Sequence, residues 1–130
     1  MIRVESIQTI TVEDHDPDVS WLDQTDAEMG IGWEEHARGR KDSYNRGDWH
    51  MVGVYVVAII TYGTENDEFL HTIKSPGIWG IESDSGVEYL QEIAQDELVT
   101  LCDMLREMNV DSDSLNVAVK SFSERERNTL

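Results

Sequence analysis

Two periods of hydrophobic residues divide the chain. From Trp49 to Tyr62 (WHMVGVYVVAIITY) the residues are mostly Val, Ile, Tyr and Trp, and Val54 to Ile60 is nearly apolar on both faces. That pattern predicts a central β-strand covered by other elements. From Ser83 to Val110 the period changes: Val87, Leu90, Ile93, Ala94, Leu98, Leu101, Leu105 and Met108 recur at three- and four-residue steps. This predicts a long amphipathic helix, with Ser85 and Glu88 spaced as a capping box. Near the start, Ile2, Val4, Ile10 and Val12 alternate with polar residues, as in an edge-like strand over residues 2–13. Glu68 to Lys74 and Ile78 to Glu82 read as shorter strands, set off by a Gly63–Asp67 loop and a Ser75-Pro76-Gly77 turn. With the long strand they form, on sequence grounds, an antiparallel meander.

The remaining segments are weaker signals. Asp14 to Ser20 is a turn-rich loop broken by Pro17. Thr25 and Glu28 are spaced as a capping box for a short helix that Gly30 and Gly32 cannot extend. Trp33 to Asn45 fits a helical turn or two, weakened by Gly39. Leu115 to Phe122 reads as a further edge strand, and residues 123–130 as a flexible charged tail. The expected fold is a single α+β domain over residues 1–122: an antiparallel sheet of three to five strands packed against one long C-terminal amphipathic helix. Trp49 and Trp79 are expected in the core, with Trp21 and Trp33 anchoring the N-terminal segment onto the sheet.

Composition sets limits on this picture. A chain of 130 residues with 39% hydrophobic content forms one domain with one real core. A single cysteine excludes an internal disulfide framework and a cysteine zinc knuckle. The chain lacks a run of about 18 apolar residues, and Met1 to Glu13 does not read as a signal peptide, so a cytoplasmic setting is expected. The distinctive quantity is charge: 27 Asp and Glu against 10 Lys and Arg, a net charge of −17. Such a field opposes direct binding to nucleic acid or to an anionic membrane.

The acids fall in two blocks. Residues 5–36 hold ten and no Lys or Arg; residues 75–105 hold seven, again with no Lys or Arg. Within the second block, Asp84, Glu88, Glu92 and Asp96 follow one another at four-residue steps, and Asp103 and Glu107 continue the same side. Like charges at that spacing destabilise a helix by about 0.2–0.5 kcal/mol per pair, and an ordinary surface helix would intersperse lysines. Four residues of helix rise about 6 Å. A DNA strand offers a phosphate about every 3.4 Å of axis. The row, helped by Asp14, Asp16, Asp18, Asp23 and Asp26, is therefore suited to imitating a phosphate track. A solubilising or halophilic surface is the plainer explanation of the same acidity.

Other chemistry finds less support. Asp14, Asp16 and Asp18 begin with calcium-loop spacing, but Val19 stands where glycine belongs, Thr25 where glutamate belongs, and Pro17 interrupts. His15, His36, His50 and His71 show no paired ligand spacing, and Cys102 reads as a small packing residue. No phosphate-binding glycine loop or nucleophile motif is present, so neither a cofactor nor a metal is expected. An enzyme would need Asp, Glu and His gathered from several loops into a pocket.

The passages Asp16 to Thr25 (DPDVSWLDQT), Gly47 to Ala58 (GDWHMVGVYVVA) and above all Ser75 to Leu98 (SPGIWGIESDSGVEYLQEIAQDEL) resemble a family of small acidic proteins of bacteriophages and mobile elements. The resemblance covers about three quarters of the chain and brings no catalytic residue with it. By analogy with anti-CRISPR and antirestriction proteins, it implies an inhibitor of host nucleic-acid machinery, acting in the host bacterial cytoplasm. The expected partner is a nucleic-acid-binding protein or nuclease complex, bound through ten of these acids: Asp84, Glu88, Glu92, Asp96 and Asp103 of the second block, with Asp14, Asp16, Asp18, Asp23 and Asp26 of the first. The other expectation is a structural or regulatory phage protein whose partner surface is apolar, around Trp21 or Trp33.

Overall fold

The structure is a computed structural model that describes residues 1–64 and 66–128. Strand β1 (Arg3–Glu13) is followed by a 3-10 turn (Ser20–Asp23), helix α1 (Asp26–Met29) and helix α2 (Trp33–Asn45). Strands β2 (Met51–Thr64), β3 (Asp67–Lys74) and β4 (Ile78–Glu82) come next, then helices α3 (Val87–Glu107) and α4 (Ser112–Asn128). The fold is α+β: a four-stranded antiparallel sheet with four helices.

Strand β2 is the centre of the sheet. Its residues Val54, Val56, Ala58 and Ile60 are buried on the face turned to α3 and α4, where they meet Leu98, Leu101 and Leu105. β1 lies along one side of β2, as an edge strand. A bulge between Val4 and Ser6 switches its alternation. Val4 and Ile7 therefore point to the helices, while Ile10 and Val12, opposite Tyr55 and Gly53, point to the other face.

The expected meander does not form. β4 pairs with β2, not with β3: β3 lies beside Val57–Thr64 and β4 beside Met51–Val54. The two short strands are one interrupted edge. Ser75 carries the ladder across the interruption. Its N–H donates to the Val56 carbonyl at 2.9 Å, and its Oγ accepts from the Val56 N–H at 3.0 Å. From below, Oε1 of the buried Glu97 on α3 accepts from Ser75 Oγ at 3.0 Å and from the Gly77 N–H. Gly77, at φ 86°, supplies the left-handed conformation the turn needs.

The C-terminal segment also departs from expectation. Residues 112–128 form α4, where an edge strand and a loose tail were expected; residues 129–130 lie outside the described residues. The alternation of Leu115, Val117 and Val119 imitates a strand. The residues that bury are Leu115, Ala118 and Phe122, one helical face, while Val117 is exposed. Asp111 Oδ2 accepts from the Ser114 N–H at 2.9 Å, capping the helix. α4 runs beside β1 and satisfies its outer edge: Ser114 Oγ accepts from the Val4 N–H, and Arg125 donates to the Ile7 carbonyl. The sheet thus rests on two helices, α3 across β2 and α4 along β1.

A second, smaller core gathers the N-terminal helices. Leu22, Ala37, Trp49 and Met51 are buried together, with Trp21, Trp33 and Tyr44 packed around them. Met51 points oppositely to Val52, so this cluster sits against the sheet face away from α3 and α4. Thr25 and Glu28 form the expected capping box of α1. Trp21 and Trp33 anchor the segment, as the sequence predicted. Trp79 does not join the core; it is 52% exposed. The irregularity of the β2–β4 pairing between Val52 and Val54 gives the inward place to Ile81 and lays the Trp79 ring over Gly53.

Candidate functional site

The acids of α3 lie where its burial pattern puts them. Ile93, Ala94, Glu97, Leu98, Leu101, Cys102 and Leu105 face inward. Glu88, Glu92, Asp96, Asp103 and Glu107 fall within an arc of about 100° on the opposite side. All five are exposed. The side chains of Glu88, Glu92, Asp96 and Glu107 make no hydrogen bond or ion pair among the described residues. Asp103 meets Arg106 at 3.5 Å, one turn along the same helix. Arg127 of α4 shares a shallow groove with Glu88 and Glu92 but pairs with neither. The row is thus an almost uncompensated strip of carboxylates.

Asp84 lies off this strip. The helix begins at Val87 after Gly86, whose φ of 95° lies in the left-handed region, so Asp84 sits in the preceding turn. The expected capping box is not formed: Ser85 Oγ donates to the Glu82 carbonyl at 2.6 Å. Arg40 claims Asp84 through two hydrogen bonds, of 2.8 and 3.0 Å, and reaches Glu82 at 2.9 Å. Its guanidinium also stacks 4.0 Å from the centre of the Trp49 ring. The hydrogen bond from Arg40 holds the Asp84 carboxyl below the ordinary carboxylate range and raises the arginine's own value. This is a clamp joining α2 to the end of β4, a structural role.

The five N-terminal acids belong to the segment on the other face, so they do not extend the strip on α3 into one track. Most are occupied locally. Asp14 Oδ1 accepts from the Asp16 N–H at 3.1 Å, and Asp18 Oδ1 accepts from both the N–H and the hydroxyl of Ser20. The Ser20 hydroxyl and N–H lower the Asp18 carboxyl below its usual value. Asp23 pairs with Lys41 at 2.7 Å, and Asp26 Oδ1 accepts from the Glu34 N–H at 2.8 Å, fixing α1 to the start of α2. Asp16 projects its carboxylate without a partner among the described residues. The aspartates with calcium-loop spacing are thus turn-forming groups.

Three features were not singled out in the sequence. Arg40 lies among Arg38, Lys41 and Arg46 in the sequence, with nothing to mark it as the clamp. Glu97 did carry a signal: it is three residues from Ala94 and four from both Ile93 and Leu101, on the apolar face by its spacing. Trp79 and Tyr89 are both exposed and line one cleft, Trp79 being turned out of the core by the β4 irregularity. Cys102 is buried, as expected, and burial pushes its thiol up.

Compared with protein-family models, curated proteins and solved structures, the chain has no match.

Proposed function

We propose that this protein is a non-enzymatic inhibitor of the phage type, binding a host nucleic-acid-binding defence complex of the CRISPR or restriction kind in the host bacterial cytoplasm. The strip on α3 takes the place of nucleic-acid phosphates. The supporting observation is the run of Glu88, Glu92, Asp96 and Asp103 along one exposed helix face, with Arg106 alone paired to it among the described residues. Successive acids four residues apart rise about 6 Å. Alternate phosphates of one DNA strand advance about 6.8 Å along the axis. Lysines and arginines arranged for phosphates find carboxylates at nearly the same interval. Asp84, Asp23 and Asp26 are engaged within the fold, so on this reading Glu88, Glu92, Asp96 and Asp103 of α3 are the binding residues.

Charge reversal tests this reading. Glu92→Lys with Asp96→Lys turns the repulsive Glu88–Glu92 pair into a favourable one and only exchanges the sign of the 92–96 pair. The double variant therefore folds at least as well as the parent. It is expected to lose inhibition of the target's DNA binding. A folded double variant that inhibits as well as the parent contradicts phosphate mimicry.

One observation favours the second reading, a structural or regulatory protein whose acidity serves solubility. The exposed Ile78, Trp79 and Tyr89 form an apolar surface near Trp21. On that reading partner binding passes through these residues and is nearly independent of salt.

A further inference from the structure

The sheet face away from α3 and α4 is only partly covered by the N-terminal helices. Where that cover ends, a cleft of about 570 Å³ opens, bounded by Trp21, Met51, Ile78, Trp79, Glu82 and Tyr89. Ile78, Trp79 and Tyr89 are 46%, 52% and 49% exposed. The aromatic walls are held in place. The Trp79 ring lies on bare backbone at Gly53, where an added Cβ would stand 2.2 Å from it. Trp21 is braced from behind by Trp33 and Trp49, with ring centres 6.1 and 6.4 Å away. Rings fixed before binding cost little further ordering when a ligand arrives.

The charge around the cleft selects its occupant. Among the described residues no basic side chain lines it, and Glu82 does. Arg40 engages Glu82 through Oε1 and leaves Oε2 without a partner among the described residues. A second copy of this chain would bring another −17 and the same carboxylate against it. A cationic group is matched on both counts, because ring faces attract cations and a guanidinium both stacks on aromatics and pairs with carboxylates. The fold holds an internal example next door: Arg40 stacks on Trp49 while bonded to this same Glu82. We propose that the cleft binds an arginine side chain presented by a partner protein, its guanidinium laid on Trp79 and facing Glu82. This requires a basic partner segment, whatever that partner does, and stands independently of the acidic strip on α3.

The test uses the full chain, labelled with nitrogen-15, titrated at 0.15 M salt, where the screening length is about 8 Å. The probe is a short peptide of alternating arginine and glycine; its control replaces each arginine by the neutral, near-isosteric citrulline. The expected result is saturable binding with the largest shifts at the Trp79 indole N–H and the Tyr89 amide. Trp79→Ala and Tyr89→Ala should each weaken it about tenfold, while Glu92→Lys with Asp96→Lys weakens it far less. Tyr89 is on an exposed helix turn, so its variant keeps the test valid if Trp79→Ala disturbs β4. Equal binding of the citrulline peptide overturns the proposal. So does binding that survives both aromatic variants but is lost on charge reversal of α3, which would be general acidic attraction. Absence of saturable binding also overturns it, as does self-association abolished by Trp79→Ala, which would assign the cleft to a second copy.

Discussion

Glu97 shows how one side chain fixes the shape of an edge. A carboxylate in the core is costly unless hydrogen-bonded, and here Oε1 accepts from Ser75 Oγ and the Gly77 N–H. Those two bonds hold the interruption that splits one edge into β3 and β4. Hydrogen bonds to a charged group contribute about 1.5–3 kcal/mol. Glu97→Ala should therefore lower unfolding stability in urea by about that amount, and Glu97→Gln, which keeps an acceptor, by less. A change in Glu97→Ala no larger than that of a surface substitution would contradict the role. Asp84 makes a different prediction. Its carboxyl releases its proton more readily folded than unfolded, because Arg40 stabilises the charged form. The contribution to stability is complete above the unfolded value of about 4 and is lost as pH falls through the lower folded value. Asp84→Asn should flatten the acid side of the stability profile below about pH 4 and leave its neutral side parallel to the parent. A profile with an unchanged acid limb would show that the clamp does not carry this dependence.

At the scale of elements, the sequence was most legible where one period dominated. β2 and α3 lie where runs of β-branched residues and three-four spacing put them, and the α1 capping box formed as its residue types predict. Where two periods were compatible, the local pattern misled. Leu115, Val117 and Val119 alternate, yet Leu115, Ala118 and Phe122 bury, because β1 has an outer edge that a helix can cover. The meander failed for a related reason. Nothing local in Ser75-Pro76-Gly77 states that the chain continues along the same edge; Glu97, twenty residues on, decides it. Two substitutions separate helix from strand in the C-terminal segment. Phe122→Ala should cost about 3–5 kcal/mol, the range for emptying a buried aromatic site. Val117→Lys, on the outer helix face, should be nearly neutral, whereas a strand would bury it with Leu115. A large loss from Val117→Lys would contradict the packing of α4.

For the whole molecule, the net charge of −17 is divided by the fold in a way the sequence could not display. Two acidic blocks in the chain become a segment of mostly engaged aspartates on one side of the sheet and an almost uncompensated carboxylate strip on the other. The strip was legible because helical spacing is local. The neutralisation of Asp84 and Asp23 was not, since Arg40 and Lys41 reach them from α2 across long stretches of sequence. Among the described residues the strip on α3 is the exposed row of acids at regular spacing, and on the proposed function it is what competes with phosphates.

The most direct test of that claim is recovery of partners from a bacterial lysate by the tagged protein, at low and high salt and with added duplex DNA, beside the Glu92→Lys, Asp96→Lys variant. The expected result is a nucleic-acid-binding protein or nuclease complex that the parent retains at low salt, that salt or DNA displaces, and that the variant does not recover. A partner held equally by both proteins, unaffected by salt and DNA, would contradict it.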